Sequence, residues 1–189
     1  MESNAIPGKS IKALSSKSDI IITAFEETIN YLGIGKKNKI YTLGNPVRNT
    51  ITNLPDKSES LKKFGLHTDK KTLLVFGGSL GAESINLAVK KFISNGLPDN
   101  MQIIWQTGKM FKTDIQNNHL VTILPFISDM ASAYSAADLV LSRAGATTLA
   151  ELAITGKPSI LVPYPKAANN HQKINAELMS KHNAAYSIN

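Results

Sequence analysis

The feature that most constrains this chain is its alternation of short apolar runs with helix-length segments. The runs fall at residues 20–23, 40–43, 73–76, 103–106, 121–124, 139–142 and 159–162. Several are apolar at consecutive positions rather than at every second one, the pattern of strands buried on both faces. Between them, residues 82–93, 130–137, 148–155 and 172–182 read as helices. Ile85, Val89 and Phe92 follow 3–4 spacing, as do Leu149, Leu152 and Ala153. Strand and helix in alternation imply a parallel sheet with right-handed crossovers. Residues 72–189 therefore read as a doubly wound α/β domain.

Residues 1–46 differ. They offer two strands and two short helices, too little for a separate core. The apolar run at 20–23 needs neighbours that the chain does not obviously supply, so this region is expected to be the tail of a preceding domain. The polar segment 53–71, with Pro55 and many charges, reads as a surface excursion opening the second domain.

Composition excludes several chemistries. The chain has 189 residues and no cysteine, which removes disulfides, thiolate metal sites and a cysteine nucleophile. No apolar run approaches the roughly 18–20 residues of a membrane-spanning helix, and the N-terminus lacks the basic-then-apolar pattern of a signal peptide. A soluble protein, able to lie on a membrane, is expected. The net charge is +7, mostly from lysines early in the chain such as Lys36, Lys37, Lys39, Lys62, Lys63, Lys70 and Lys71. A solvated surface is the plain reading, and attraction to anionic head groups the sharper one. Nucleic acid is not expected as a partner: the lysines are not interleaved with aromatics, and Arg48 and Arg143 are the only arginines.

Four segments carry candidate chemistry. Gly77-Gly78-Ser79-Leu80-Gly81-Ala82 lies between a strand and a helix, where glycines permit positive φ and close approach of a ligand, and the helix N-terminus suits a phosphate. It matches neither a Walker loop nor Gly-x-Gly-x-x-Gly, and a tight turn needing glycines for packing explains it about as well. Ser142-Arg143-Ala144-Gly145-Ala146-Thr147-Thr148-Leu149-Ala150-Glu151 again joins strand to helix, at the sheet edge where such folds bind ligands. Amides near Ala146–Thr148 suit a diphosphate and Glu151 suits a ribose diol, yet Thr148-x-x-Glu151 is equally a capping box. Arg143 suits either an anion or strand-end pairing. In Val162-Pro163-Tyr164-Pro165 and the following Asn169-Asn170-His171-Gln172, the amides of Asn170 and Gln172 match sugar hydroxyls, and His171 reads as a surface or capping histidine. Gly44-Asn45-Pro46-Val47-Arg48 is a turn whose Arg48 suits a phosphate.

Taken in order, Glu2-Ser3-Asn4, Gly44-Asn45-Pro46-Val47-Arg48, Gly77 to Ala82, Arg143 to Glu151 and His171-Gln172-x-x-Asn175-Ala176 resemble the MurG family of peptidoglycan glycosyltransferases. The resemblance runs through nearly all of the chain. The histidine that opens the family's His-Glu-Gln/Ser-Asn segment is Met1 here.

The resemblance implies the GT-B architecture of two Rossmann-like domains facing across a cleft. Residues 1–46 would be the end of the N-terminal acceptor-binding domain with its linker. Residues 47–189 would be the C-terminal UDP-sugar-binding domain, without its last helix. The implied activity is metal-independent, inverting transfer of N-acetylglucosamine from UDP-N-acetylglucosamine to lipid I, at the cytoplasmic side of the bacterial plasma membrane, with no cofactor.

Roles also follow from the resemblance. Ile127 would read the uracil edge through its backbone, and Glu151 would hold the ribose. Ala146, Thr147, Thr148, Leu149 and Ala150 would line the nucleotide. Arg48 and Ser79 would contact the donor near its phosphates, Gln172 would select the sugar, and Asn4 would approach that sugar from the preceding domain. Asn86 and Arg143 would be supporting. The catalytic base would lie in the missing half, Glu2 being a poor candidate, so the chain alone is expected to bind donor weakly and to be inactive. The alternatives are another GT-B transferase with a different UDP-sugar, or the donor-binding subunit of a split enzyme.

Overall fold

The computed structural model of the protein describes residues 1–33 and 39–188; Lys36 and Lys37 lie outside the described residues. A small parallel pair, β1 (Ile20–Thr23) and β2 (Lys39–Thr42), comes first, with Glu2 bridging to Thr23 on the outer side of β1. Helix α1 (Lys9–Ser15) and a 3-10 turn at Glu26–Tyr31 complete this part.

The main sheet has six parallel strands: β3 (Lys71–Phe76), β4 (Met101–Gln106), β5 (Val121–Leu124), β6 (Leu139–Ser142), β7 (Ser159–Leu161) and β8 (Tyr186–Ser187). Their spatial order is β5-β4-β3-β6-β7-β8. Numbered within this sheet alone, that is 3-2-1-4-5-6, the order of doubly wound dinucleotide-binding folds, and its direction reverses between β3 and β6. Helices α4 (Glu83–Ser94), α5 (Met130–Ala136), α6 (Ala146–Thr155) and α7 (His171–Lys181) lead into β4, β6, β7 and β8. The α/β doubly wound class expected from the sequence is the observed one.

The consecutive apolar runs have a simple cause. Leu73, Val75, Ile103 and Trp105 face one side of the sheet and pack with Ile85 and Val89 of α4. Leu74, Phe76, Ile104 and Val140 face the other and pack with Tyr134 of α5 and Leu149 and Leu152 of α6. Alternate residues enter opposite cores, so both phases of the strand must be apolar.

The segment expected to be a surface excursion belongs to this second core. It holds α2 (Asn49–Thr52) and α3 (Lys57–Lys63), and Ile51, Leu61 and Leu66 are buried against α5 and its neighbours. Its apolar residues are sparse and separated by lysines, which hid a one-sided helix among charges. The two-residue strand β8 was too short for any periodicity to show it.

A cleft at the sheet reversal and the residues around it

The glycine loop leaves β3 at the reversal point and enters α4. Packing explains two of its glycines. A Cβ on Gly77 would lie 2.4 Å from the Ala82 amide nitrogen, and one on Gly81 would lie 2.1 Å from the Thr107 carbonyl oxygen. The turn after β4 interlocks with it in return, because a Cβ on Gly108 would lie 2.3 Å from the Leu80 carbonyl oxygen. Gly78 differs: its φ is +91° but its Cβ position is open space. Beside this loop lies an open cleft of about 650 Å³, lined among others by Ser79, Ser84, Arg143, Thr148, Tyr164 and Gln172. Packing therefore accounts for Gly77 and Gly81, whereas Gly78, which borders the cleft, answers to no packing demand.

Across the cleft, α6 begins at Ala146, two residues earlier than its hydrophobic pattern indicated. Gly145 is its N-cap and contributes no side-chain bond. The Leu149 amide donates to the Gly145 carbonyl at 3.0 Å, so the amides of Ala146, Thr147 and Thr148 precede the intrahelical ladder. This turn presents donors and the positive end of the helix dipole. The capping-box reading is thereby corrected: Thr148 lies inside the helix, and Glu151 turns elsewhere. Its carboxylate accepts from the Tyr134 hydroxyl at 2.9 Å and faces an Arg48 guanidinium nitrogen at 3.5 Å. Burial, reinforced by that carboxylate, pushes the Tyr134 phenol far above its usual range, so it stays a proton donor at every physiological pH.

The remaining expected residues fall into separate groups. Arg143 takes the strand-end role: one of its terminal nitrogens donates to the carbonyls of Val162 (3.1 Å) and Pro163 (2.8 Å), the other to Ser84 Oγ (2.9 Å). It also stacks on the Tyr164 ring, and so ties α4 to the exit of β7. Asn86 is buried; it donates to the Thr107 carbonyl (2.7 Å) and accepts from the Trp105 indole (3.0 Å), supporting the loop from behind. Gln172 accepts from the Tyr164 amide at 2.9 Å through its carbonyl oxygen. His171 Nδ1 lies 2.7 Å from the Ala168 carbonyl, as a capping histidine does. Asn169 and Asn170 adopt left-handed conformations, which asparagine tolerates.

Ala146, Leu149 and Ala150 line a second, more apolar groove together with Val47, Asn45 and Phe25, and Thr147 is exposed. The Ile127 amide is already engaged, donating to Gln106 Oε1 at 2.7 Å. Asn4 meets the main domain through Asn175, whose side chain donates to Asn4 Oδ1 and to the Ala144 carbonyl, both at 3.2 Å, and accepts from the Ala5 amide at 3.1 Å. Glu2 accepts from the Asn4 and Gly8 amides, one on each carboxylate oxygen.

Three residues escaped the sequence reading: Tyr134, Asn175 as a junction, and Gln106. A lone tyrosine among alanines and serines, or a glutamine closing an apolar strand, signals that a polar group is buried. Neither signal names the partner.

Residues 72–189 match the model of the glycosyltransferase family 28 C-terminal domain. Two relatives carry the name UDP-N-acetylglucosamine–N-acetylmuramyl-(pentapeptide) pyrophosphoryl-undecaprenol N-acetylglucosamine transferase. That from Chlorobium limicola is 42% identical over 99% of this chain and 51% of its own length, and that from Prosthecochloris aestuarii is 44% identical over 97% and 50%. The chain thus spans about half the length of the curated relatives it matches. The crystal structure of Acinetobacter baumannii MurG superposes with a TM-score of 0.70 at 29% identity, covering 98% of this chain and 51% of that one. A glycotransferase of kitacinnamycin, at 15% identity and a TM-score of 0.63 over 92% of this chain and 42% of its own, shares the fold. The cleft at the sheet reversal thus lies within the matched residues, and the chain belongs to the glycosyltransferase family 28 C-terminal domain family.

Proposed function

We propose that this chain is the donor-binding half of an enzyme that transfers N-acetylglucosamine from UDP-N-acetylglucosamine to lipid I, the lipid-linked N-acetylmuramoyl-pentapeptide, making lipid II for peptidoglycan. The observation that carries the reading is the meeting of two anion-binding elements across one cleft. Gly78 and Ser79 line one wall and the first turn of α6 at Gly145 and Thr148 the other, at the point where the sheet order reverses. The names of the relatives support the sugar and the acceptor.

In this reading the helix-end amides hold the diphosphate and take up charge as UDP departs from the anomeric carbon with inversion. Arg48, whose side chain is 60% exposed and only 3.5 Å from Glu151, swings to the same phosphates. Glu151 offers its carboxylate to the ribose while Tyr134 holds it from behind. The amide nitrogen of Gln172, whose oxygen is bonded to Tyr164, is directed to the sugar. The acceptor hydroxyl loses its proton to a base from the acceptor half, since both Glu2 oxygens are engaged by backbone amides. The partners are therefore the donor, lipid I and the acceptor-binding half, and the place of work is the cytoplasmic face of the plasma membrane, where lipid I is anchored.

Calorimetric titration of the 189-residue chain with UDP-N-acetylglucosamine and UDP-glucose tests this. Saturable binding that prefers the N-acetylated sugar and disappears in Glu151→Ala is expected. Equal binding of both sugars would point to a different donor. Absence of binding by the folded chain, persisting when the acceptor half is supplied, would overturn the reading.

A further inference from the structure

Gln106 closes β4, the strand that lies between β3 and β5 in the sheet. It is 4% exposed. Its side chain reaches both neighbours' exits at once. Nε2 donates to the Gly78 carbonyl at 2.9 Å, in the loop leaving β3. Oε1 accepts from the Ile127 amide at 2.7 Å, in the loop leaving β5. The Gly78 carbonyl is also the acceptor of the Gly81 amide at 3.0 Å, so it is the anchor of the glycine turn itself. One buried amide thus bridges the exits of the two strands that flank β4, and joins two loops of which one lines the cleft.

We propose that Gln106 is a positioning residue that locks these two loops together, so that the base and the diphosphate of one nucleotide are read at a fixed separation. The proposal rests on the nucleotide-sugar reading given above. Its physical content is preorganisation. A ligand with two linked ends gains over its separate fragments only when both subsites are held at the right spacing. Breaking the lock leaves each subsite intact and reduces the gain from linking them.

The same strand supplies a control. Gln102, at the opposite end of β4, is equally buried and equally engaged, with its oxygen on the His67 amide and its nitrogen on the His67 carbonyl and Thr72 Oγ1. It touches neither loop.

The test titrates the full chain by NMR with UDP, uridine and inorganic pyrophosphate separately, in wild type, Gln106→Met and Gln102→Met. For Gln106→Met, UDP affinity is expected to fall about tenfold with the two fragments unchanged within about twofold. Gln102→Met should lower the melting temperature and leave all three affinities alone. Parallel loss of UDP and fragments, or unchanged UDP affinity in a folded Gln106→Met protein, overturns the proposal. Amide hydrogen exchange on the free protein separates it from the nucleotide reading. Gln106→Met should speed exchange at Ile127 and Gly81 together even if no nucleotide binds; acceleration at only one of them shows that no lock exists, whereas wild-type protein that binds no UDP removes the nucleotide role.

Discussion

The Tyr134 hydroxyl donates to Glu151 Oε2 at 2.9 Å, joining α5 to α6 inside the core that carries the cleft. Both groups are buried; the hydroxyl serves Oε2 of the carboxylate, while Oε1 faces Arg48. Tyr134→Phe is expected to cost about 1–3 kcal/mol of stability, because an acceptor loses its partner away from water. If Glu151 holds the ribose, UDP affinity should fall several-fold while the affinity for 2′-deoxy-UDP changes less. Denaturant unfolding and calorimetry read the two effects. Equal losses for both nucleotides would remove Glu151 from the ribose.

Among the described residues, Asn175 ties Asn4 and Ala5 to the Ala144 carbonyl through three side-chain hydrogen bonds. Asn175→Ala leaves these groups unpaired in a buried place, and a loss of about 2–4 kcal/mol is expected. The N-terminal segment should become protease-sensitive before the main sheet does. Limited proteolysis followed by mass spectrometry checks the order of cleavage; simultaneous cleavage of both parts would mean that the junction is held by something else.

Two glycines of one loop should respond very differently to alanine. Gly78→Ala introduces a side chain at φ +91° into open space, a conformational cost of about 1 kcal/mol. Gly81→Ala adds the same strain at φ +80° and drives a Cβ onto the Thr107 carbonyl at 2.1 Å, where only backbone movement can relieve it. A loss of more than about 3 kcal/mol is expected. Thermal unfolding of the two variants checks the difference; equal losses would mean that the close approach to Thr107 is not what constrains Gly81.

Asp129 caps α5 by accepting from the Ser132 amide and hydroxyl, and pairs with Lys63. The Lys63 ammonium and those Ser132 bonds hold its carboxyl at about 2, below the ordinary 3.8. A depressed folded-state pKa stabilises the fold above the unfolded value and loses that contribution as pH falls through the folded one. The stability gap between wild type and Asp129→Asn should be complete above about pH 4 and close toward about pH 2. Its size should be modest, below about 1 kcal/mol, because the pair is partly exposed. Chemical unfolding at several pH values reads the gap; a gap that widens on acidification would contradict the assignment.

The sheet and its crossovers were legible because burial on both faces forces consecutive apolar residues. Thus 73–76 and 103–106 declared themselves, as did the strand-to-helix turns at Gly77 and Gly145 and the class of fold they belong to. Local pattern also placed Thr148 and Glu151 on a helix, but not what Glu151 touches, since Thr-x-x-Glu satisfies a capping box and a helix interior alike. Only the tertiary structure decided that Glu151 meets Tyr134 and Arg48, that Arg143 serves carbonyls, that Asn175 joins the two parts and that Gln106 spans two loops. Periodicity records which face of an element is buried, because burial acts residue by residue. A hydrogen bond between distant segments depends on the separation and direction of both partners, and those are set by strand order and packing, which no local pattern contains.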